Sequence, residues 1–142
     1  MLKYPVVLTR DTNDTYLVDF PDVPEAHTAG DDIQEALMRA VDALESAFMV
    51  YIEKHRSIPT PSRPKKGGHS VTVPTLSEAK VAVHQAMLQA RVRKSDLAQK
   101  LHWPIYEVDK LLDLNRPTPL DRIEAALSVL KKRLVLAVED AA

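Results

Sequence analysis

The feature that most constrains this chain is a run of helical apolar spacing in residues 94–130. Residues three or four positions apart share one face of a helix, so three such groups predict three helices. The corner between the first two is His102-Trp103, and Pro104 then opens the second helix, at the end where proline is tolerated. The three groups are Leu97, Ala98 and Leu101; Val108, Leu111 and Leu112; and Leu120, Ile123, Ala126, Leu127 and Leu130.

Two short helices across a tight corner are typical of a helix-turn-helix. The chain reads Leu97-Ala98, two residues and Leu101, then Val108, two residues and Leu111-Leu112, then Asn115-Arg116-Pro117. Over about residues 76–130 this order resembles the lambda-repressor/Cro-like (XRE) family of DNA-binding domains. The resemblance implies that the second helix lies in the major groove of operator DNA. It implies DNA contacts from Lys94, Ile105, Tyr106, Lys110 and Arg116.

Each of these residues also has a purely structural interpretation. Tyr106 would instead pack against Trp103, while Lys110 and Arg116 would be solvated charges. His102 stands where relatives usually have glycine, which predicts either a strained left-handed backbone or a modified turn there rather than a DNA contact.

Two carboxylates in the second helix, Glu107 and Asp109, oppose strong binding of one copy to phosphates, unless Glu107 reads a cytosine amine. We therefore expect a homodimer or a tetramer that reads two half-sites. The apolar tail at residues 134–138 is a candidate dimer surface. Its alternative role is packing against its own domain around Val83 and Met87.

The first half of the chain changes from strand patterns to a helix pattern. Residues 2–9, 16–20 and 27–29 predict three strands, with turns at 11–14 and 21–24. From Ile33 an apolar stripe continues to Ile52, which predicts one long helix. Asp32 is placed to cap that helix, with Glu35 reaching back in a capping box.

Residues 56–70 are rich in proline, lysine and glycine, which predicts an exposed loop. Val71-Thr72-Val73 is either a fourth strand of the first sheet or part of a longer linker. The preferred interpretation is a fourth strand, with domains at residues 1–74 and 75–142.

Segment 15–44 contains an aromatic-led strand, Phe20-Pro21-Asp22-Val23-Pro24, a Thr-x-Gly at 28–30 and a capped helix with Glu-Ala-Leu. In this order of features the segment is similar to the N-terminal domain of the HicB antitoxins. It implies a truncated RNase H-like sheet and helix that covers the catalytic surface of HicA, a small basic mRNA-cleaving toxin. An acidic surface suits such a partner, and the candidate toxin contacts are Asp19, Phe20, Asp22 and Glu25.

Charge is distributed unevenly between the two halves. Residues 1–55 carry four basic and eleven acidic side chains, a net charge of −7, whereas the rest carries fifteen basic and nine acidic, a net charge of +6. The acidic half fits a basic protein and the basic half fits DNA, although two solvated surfaces would look the same.

Composition excludes several functional classes. The chain has no cysteine, and its five histidines have no i, i+4 pair, so we expect no disulfide, metal or cofactor. Two-metal hydrolysis needs several converging carboxylates, but the first strand has none, so we expect no enzyme. No signal peptide or membrane span is expected, which favours a cytoplasmic protein.

The sequence therefore predicts an α+β protein: a small antiparallel sheet with one long helix, followed by an all-α helix-turn-helix domain. The HicB resemblance implies an antitoxin of a type II toxin-antitoxin system that occludes HicA and represses its own operon. A ligand-sensing repressor without a toxin partner and a nuclease are the rival functions.

Overall fold

The computed structural model describes residues 1–141, and these form two compact units. The first unit is Met1–Glu78 and the second begins at Ala79. This division lies four residues beyond the expected boundary after Pro74, inside helix α2 (Thr75–Ala90). The first turn of α2 is held in the first unit, where Ser77 Oγ donates to Glu45 and Glu78 accepts from the amide of Leu2.

The first unit is a four-stranded antiparallel sheet with one long helix, which confirms the expected α+β fold. Its elements are β1 (Lys3–Arg10), β2 (Tyr16–Asp19), β3 (His27–Gly30), α1 (Ile33–Glu53) and β4 (His69–Thr72), and the strand order is β3-β2-β1-β4. β4 pairs with β1, with Val71 opposite Tyr4. The segment around Val71 is therefore a fourth strand and not a linker.

Helix α1 packs on one face of this sheet. The Asp32 carboxylate accepts from the amide of Glu35 at 2.7 Å, so the predicted cap is confirmed. The Glu35 carboxylate does not complete a capping box but pairs with Arg39 at 2.7 Å. Gly30 permits the close approach of α1, since a Cβ there would lie 2.3 Å from the Ala36 amide.

The loop between α1 and β4 is less exposed than its composition predicted. Ile58 is buried, and the buried Tyr4 donates its hydroxyl to the Pro59 carbonyl at 2.6 Å. Because β4 returns to the sheet, the basic residues of this loop belong to the first unit. Residues 1–78 therefore carry eight basic and twelve acidic side chains, and the remainder eleven basic and eight acidic. The two units keep opposite signs, −4 and +3, but the contrast is weaker than the division at residue 55 suggested.

The second unit contains the rest of α2 and three shorter helices, α3 (Lys94–Leu101), α4 (Ile105–Leu112) and α5 (Leu120–Val129). The three predicted helices and the short corner are confirmed, with Pro104 one residue before α4 rather than in its first turn. The predicted apolar faces are buried, except that Leu120 is 49% exposed and Leu101 is only partly buried.

Four helices end in a left-handed residue that is not glycine. His55, Arg91, His102 and Lys131 have φ between 55° and 62°. The left-handed alternative predicted for His102 is therefore confirmed. Each of these side chains is basic or can be protonated, which favours the negative end of a helix dipole.

Candidate functional site

The sheet of the first unit presents a partly apolar face on the side opposite α1. Side chains alternate along a strand, so the buried Tyr4 and Val18 point toward α1, whereas Val7 and Leu17 point away from it. Val7 is 49% and Leu17 37% exposed, and Asp19 lies directly opposite Val7 in the β1–β2 register. This group of Val7, Leu17 and Asp19 is called the open sheet face below. It combines apolar area with one exposed carboxylate.

Two other acidic residues expected to meet a partner already hold the fold together. The Asp22 carboxylate accepts from the amide of Ser62 at 2.8 Å and from its hydroxyl at 2.9 Å, which ties the proline-rich loop to the end of β2. Burial raises the pKa of Tyr4 to about 12, and the negative charge of Asp22 adds to this shift. Through its two bonds to Ser62, Asp22 anchors the loop.

Glu25 is oriented by two residues near the end of α1. Its carboxylate accepts from the Tyr51 hydroxyl at 2.7 Å and lies 3.8 Å from Arg56, whose guanidinium covers the Tyr51 ring at 4.6 Å. The hydrogen bond from Tyr51 is the main cause that lowers the pKa of Glu25. Burial, and then the bond to Glu25, raises the pKa of Tyr51.

The prediction that Phe20 contacts a partner is corrected by its burial. Its side chain is 2% exposed and belongs to the core of the first unit. The strand alternation that put Phe20 on the same face as Val18 was right, but that face packs inward. Of the four expected contacts, Asp19 is the one that lies on the open sheet face.

In the second unit, the basic residues expected to bind DNA are held by neighbouring carboxylates. Lys94 Nζ lies 2.9 Å from Asp109, Lys110 Nζ lies 3.6 Å from Glu107, and Arg116 Nε lies 3.5 Å from Asp113. These cations are partly exposed, so phosphates would have to compete with weak surface ion pairs.

The first turn of α4 exposes the two uncharged residues expected at the DNA. Ile105 is 48% and Tyr106 56% exposed. Lys110 Nζ stands 5.3 Å from the centre of the Tyr106 ring. The Trp103 ring is covered instead by Arg122, at 4.8 Å. Tyr106 is thus available on the surface.

Arg122 is a residue that sequence reasoning missed. It connects α5 to α4 through a 3.0 Å bond to the Glu107 carboxylate, while its guanidinium covers Trp103. The Glu107 carboxylate therefore pairs with two cations of its own unit, Arg122 and Lys110, and not with a partner molecule. A charged Arg in the first turn of a predicted helix gave no signal of this role.

Lys80 is the second missed residue, and it is fully buried. Its ammonium group donates to the carbonyls of Lys110 at 3.0 Å, Asp113 at 2.6 Å and Arg116 at 2.5 Å. Three donors thus meet three carbonyls at the end of α4, where helix carbonyls lack intrahelical partners. Burial lowers the pKa of Lys80, and the nearby Asp113 opposes this effect. Lys80 fixes both the end of α4 and the segment that carries Arg116.

Among residues 1–141, no group of three or more His, Cys, Asp or Glu side chains is placed to hold a metal ion. Within the same part of the chain, no helix is long and apolar enough to cross a membrane.

Comparison with known proteins defines the class to which this fold and these surfaces belong. Residues 3–82 match the sequence model of a family described as HicB-like antitoxins of bacterial toxin-antitoxin systems. Antitoxin HicB of Escherichia coli K12 is 36% identical over 96% of this chain and 99% of the relative. Antitoxin HicB 2 of Photorhabdus laumondii is 42% identical over 95% of each, and Antitoxin HicB of Pseudomonas fluorescens is 33% identical over 99% and 97%.

These similarities extend over both structural units, since they cover nearly the full length of the chain and of each relative. The chain therefore belongs to the HicB antitoxin family, as the resemblance in segment 15–44 predicted.

Proposed function

We propose that this protein is the antitoxin of a HicA-type toxin, which it binds through its first unit, and that its second unit represses the operon encoding both. The observation that carries the proposal is the similarity to HicB antitoxins along almost the entire chain. The protein acts in the cytoplasm as a homodimer or a tetramer, performs no catalysis and needs no cofactor.

The open sheet face is the proposed toxin-binding surface. Its exposed Val7 and Leu17 supply apolar area, and Asp19 adds a carboxylate that attracts a basic protein. The net charge of −4 over residues 1–78 favours the same kind of partner. Covering the toxin's catalytic surface requires only complementary shape and charge. Asp22 and Glu25 contribute to the acidic field while holding the loop and α1 in place.

The proposed operator-binding surface is the exposed side of α4 with the residues around it. In a helix-turn-helix the second helix enters the major groove and its first residues reach the bases. Ile105 and Tyr106 occupy that place, while Lys94, Lys110 and Arg116 are the proposed phosphate or base contacts. Each would exchange a carboxylate partner for DNA. This exchange predicts modest affinity for one copy and supports a dimeric repressor.

The toxin-binding proposal is tested by co-expression with the HicA-type toxin that the proposal places in the same operon. Wild type should restore growth and co-purify with that protein, whereas Asp19→Lys should lose both. Asp42→Lys makes the same charge change on the exposed side of α1 and should keep both. Equal behaviour of the two variants would contradict the assignment of the open sheet face.

A separate test addresses DNA binding, with a gel-shift assay on the promoter region of the operon. Wild type and Asp19→Lys should bind the promoter equally, since the two functions are assigned to different units. Promoter binding by a chain that captures no small basic protein in a pull-down would favour the ligand-sensing repressor instead. Cleavage of RNA or DNA by the purified chain with magnesium or manganese would favour the nuclease.

A further inference from the structure

The segment that follows α5 is strongly apolar and strongly exposed. Residues 132–141 contain no helix or strand, and Val135, Leu136 and Val138 are 79%, 71% and 93% exposed. Two of the three, Val135 and Val138, are β-branched and favour a strand, yet the backbone of a β-strand needs a pairing partner. The segment therefore has the composition of a strand and lacks its neighbour.

Charges flank this apolar centre with opposite sign. Lys132 and Arg133 precede it, and Glu139 and Asp140 follow it. None of the four makes an ion pair within residues 1–141. A segment that is positive at its start and negative at its end is complementary to a second copy of itself running in the opposite direction, because each positive end then meets a negative end.

We propose that residues 132–140 pair with the same residues of a second copy as a two-stranded antiparallel ribbon centred on Leu136. In this register Arg133 lies opposite Glu139 and Lys132 lies opposite Asp140, on both sides of the two-fold axis. This inference rests on the proposed dimeric function and specifies where that dimer forms.

Of the symmetric registers, the two neighbours that are also centred on a residue satisfy the charges less well. Centring the pair on Val135 brings together one ion pair, Lys131 with Glu139, and places Arg133 opposite Ala137. Centring it on Ala137 places Leu134 opposite Asp140, which sets an apolar residue against a charge. Registers centred between two residues, either 135 and 136 or 136 and 137, would turn the two copies of Leu134 to opposite faces of the ribbon.

The position of Leu134 explains which face of the ribbon turns inward. Leu134 lines a cavity of about 270 Å³ in the second unit, together with Ala86 and Leu127. Side chains alternate along a strand, so Leu136 and Val138 share the face of Leu134. In the proposed register Val138 lies opposite Leu134 of the second copy, next to the cavity of that copy. The ribbon thus buries one apolar face over two cavities, which an isolated hairpin could not do.

The charge register is tested by measuring the self-association of the full chain by sedimentation. Glu139→Lys/Asp140→Lys and Lys132→Glu/Arg133→Glu should each weaken the homodimer by tenfold or more, and mixing the two variants should restore dimers. Asp31→Lys/Asp42→Lys makes the same charge change on exposed residues of the first unit and should dimerise like wild type. Tail variants that dimerise as well as wild type would overturn the register while leaving a dimeric antitoxin in place.

A thiol placed on the two-fold axis gives an independent test, because the chain contains no cysteine. Residues opposite each other in an antiparallel pair have Cα atoms about 4.5–5.5 Å apart, within the range of a disulfide. Leu136→Cys should therefore form a cross-linked dimer rapidly under mild oxidation, and Ala137→Cys should form it slowly. Equal rates would overturn the register. A wild-type chain that stays monomeric would remove the dimer from the proposed function as well.

Discussion

The two units solve the problem of holding a small fold together in different ways. The first packs a long helix on a sheet around aromatic residues, with Tyr4 and Phe48 in edge-to-face contact at 5.5 Å. The second has helices of eight to ten residues after α2, and it places the ammonium group of Lys80 in its interior. The stability of the first unit comes from an apolar core that sequence periodicity predicts. The second unit also relies on the buried ammonium group of Lys80, which sequence periodicity does not predict.

The largest effect should come from removing that cation. Lys80→Met leaves three carbonyls without their donor, and we expect it to destabilise the second unit by about 3 kcal/mol or more. Trp103 is the single tryptophan of the chain, so its fluorescence follows the unfolding of this unit in denaturant.

The matched control is Lys100→Met, which removes an exposed lysine of α3 and should change stability little. Amide exchange in β1 and α1 should be the same in both variants. Equal denaturant midpoints for Lys80→Met and Lys100→Met would contradict the claim that the second unit depends on its buried lysine.

The next effect concerns DNA and should leave the first unit untouched. Lys110→Ala and Arg116→Ala should each weaken operator binding by about tenfold and lower the slope of affinity against salt by about one. Toxin neutralisation should survive in both variants. Loss of both operator binding and toxin neutralisation in a variant that is still folded would show that the two functions do not belong to separate units.

Asp109→Asn should act in the opposite direction, because it removes a negative charge from α4 and releases Lys94. We expect operator affinity to rise a few-fold, by about 1 kcal/mol or less. Glu124→Gln makes the same change on an exposed position of α5 and serves as the control in the gel-shift assay. A weaker operator complex with Asp109→Asn would indicate that Asp109 orients Lys94 for binding.

A smaller, stabilising effect is expected at a feature that both units share, a histidine in the left-handed conformation at the end of a helix. His102 and His55 end α3 and α1 in the left-handed conformation, which costs a residue with a Cβ about 1 kcal/mol. Glycine relieves this strain but gains freedom in the unfolded chain, so His102→Gly and His55→Gly should each stabilise by about 0.5 kcal/mol. Thermal unfolding followed separately in each unit measures both, and destabilisation would reveal a contact of the imidazole.

The smallest effect is a pH dependence confined to the first unit. The folded pKa of Glu25 is lowered, so its contribution to stability is present above its ordinary pKa of 4.5 and is lost as pH falls through the folded value. Tyr51→Phe removes the main cause. The melting temperature of the variant should fall below that of wild type at pH 7, and the gap should narrow toward pH 3. Tyr16→Phe should show a gap that does not depend on pH.

Much of the first unit was predictable because its signals are local. Strand-favouring residues marked β1, alternation marked β2, and a 21-residue helix with its cap at Asp32 followed from apolar spacing. β4 could not be decided from Val71-Thr72-Val73, because a three-residue pattern does not say that β1, more than sixty positions earlier, completes the pair. The toxin contact expected of Phe20 was wrong because alternation groups residues by face without saying which face is buried.

In the second unit the helices were predictable and their polar contacts were not. The apolar groups gave α3, α4 and α5, but each ion pair of Lys94, Lys110 and Arg116 depends on the rotation of short helices about their axes. Lys80 was hidden because lysine is ordinarily exposed, and the carbonyls that it meets lie 30 to 36 residues further along the chain.

The buried position of Lys80 also limits how the DNA-binding part could be transplanted. A fragment cut at Lys94 would contain every residue proposed to touch an operator, yet it would discard the helix that supplies the ammonium group. In such a fragment the C-terminal end of α4 would fray, and the segment that carries Arg116 would no longer be fixed in position. Any chimaeric repressor that borrows this specificity must include the chain from residue 79 onward.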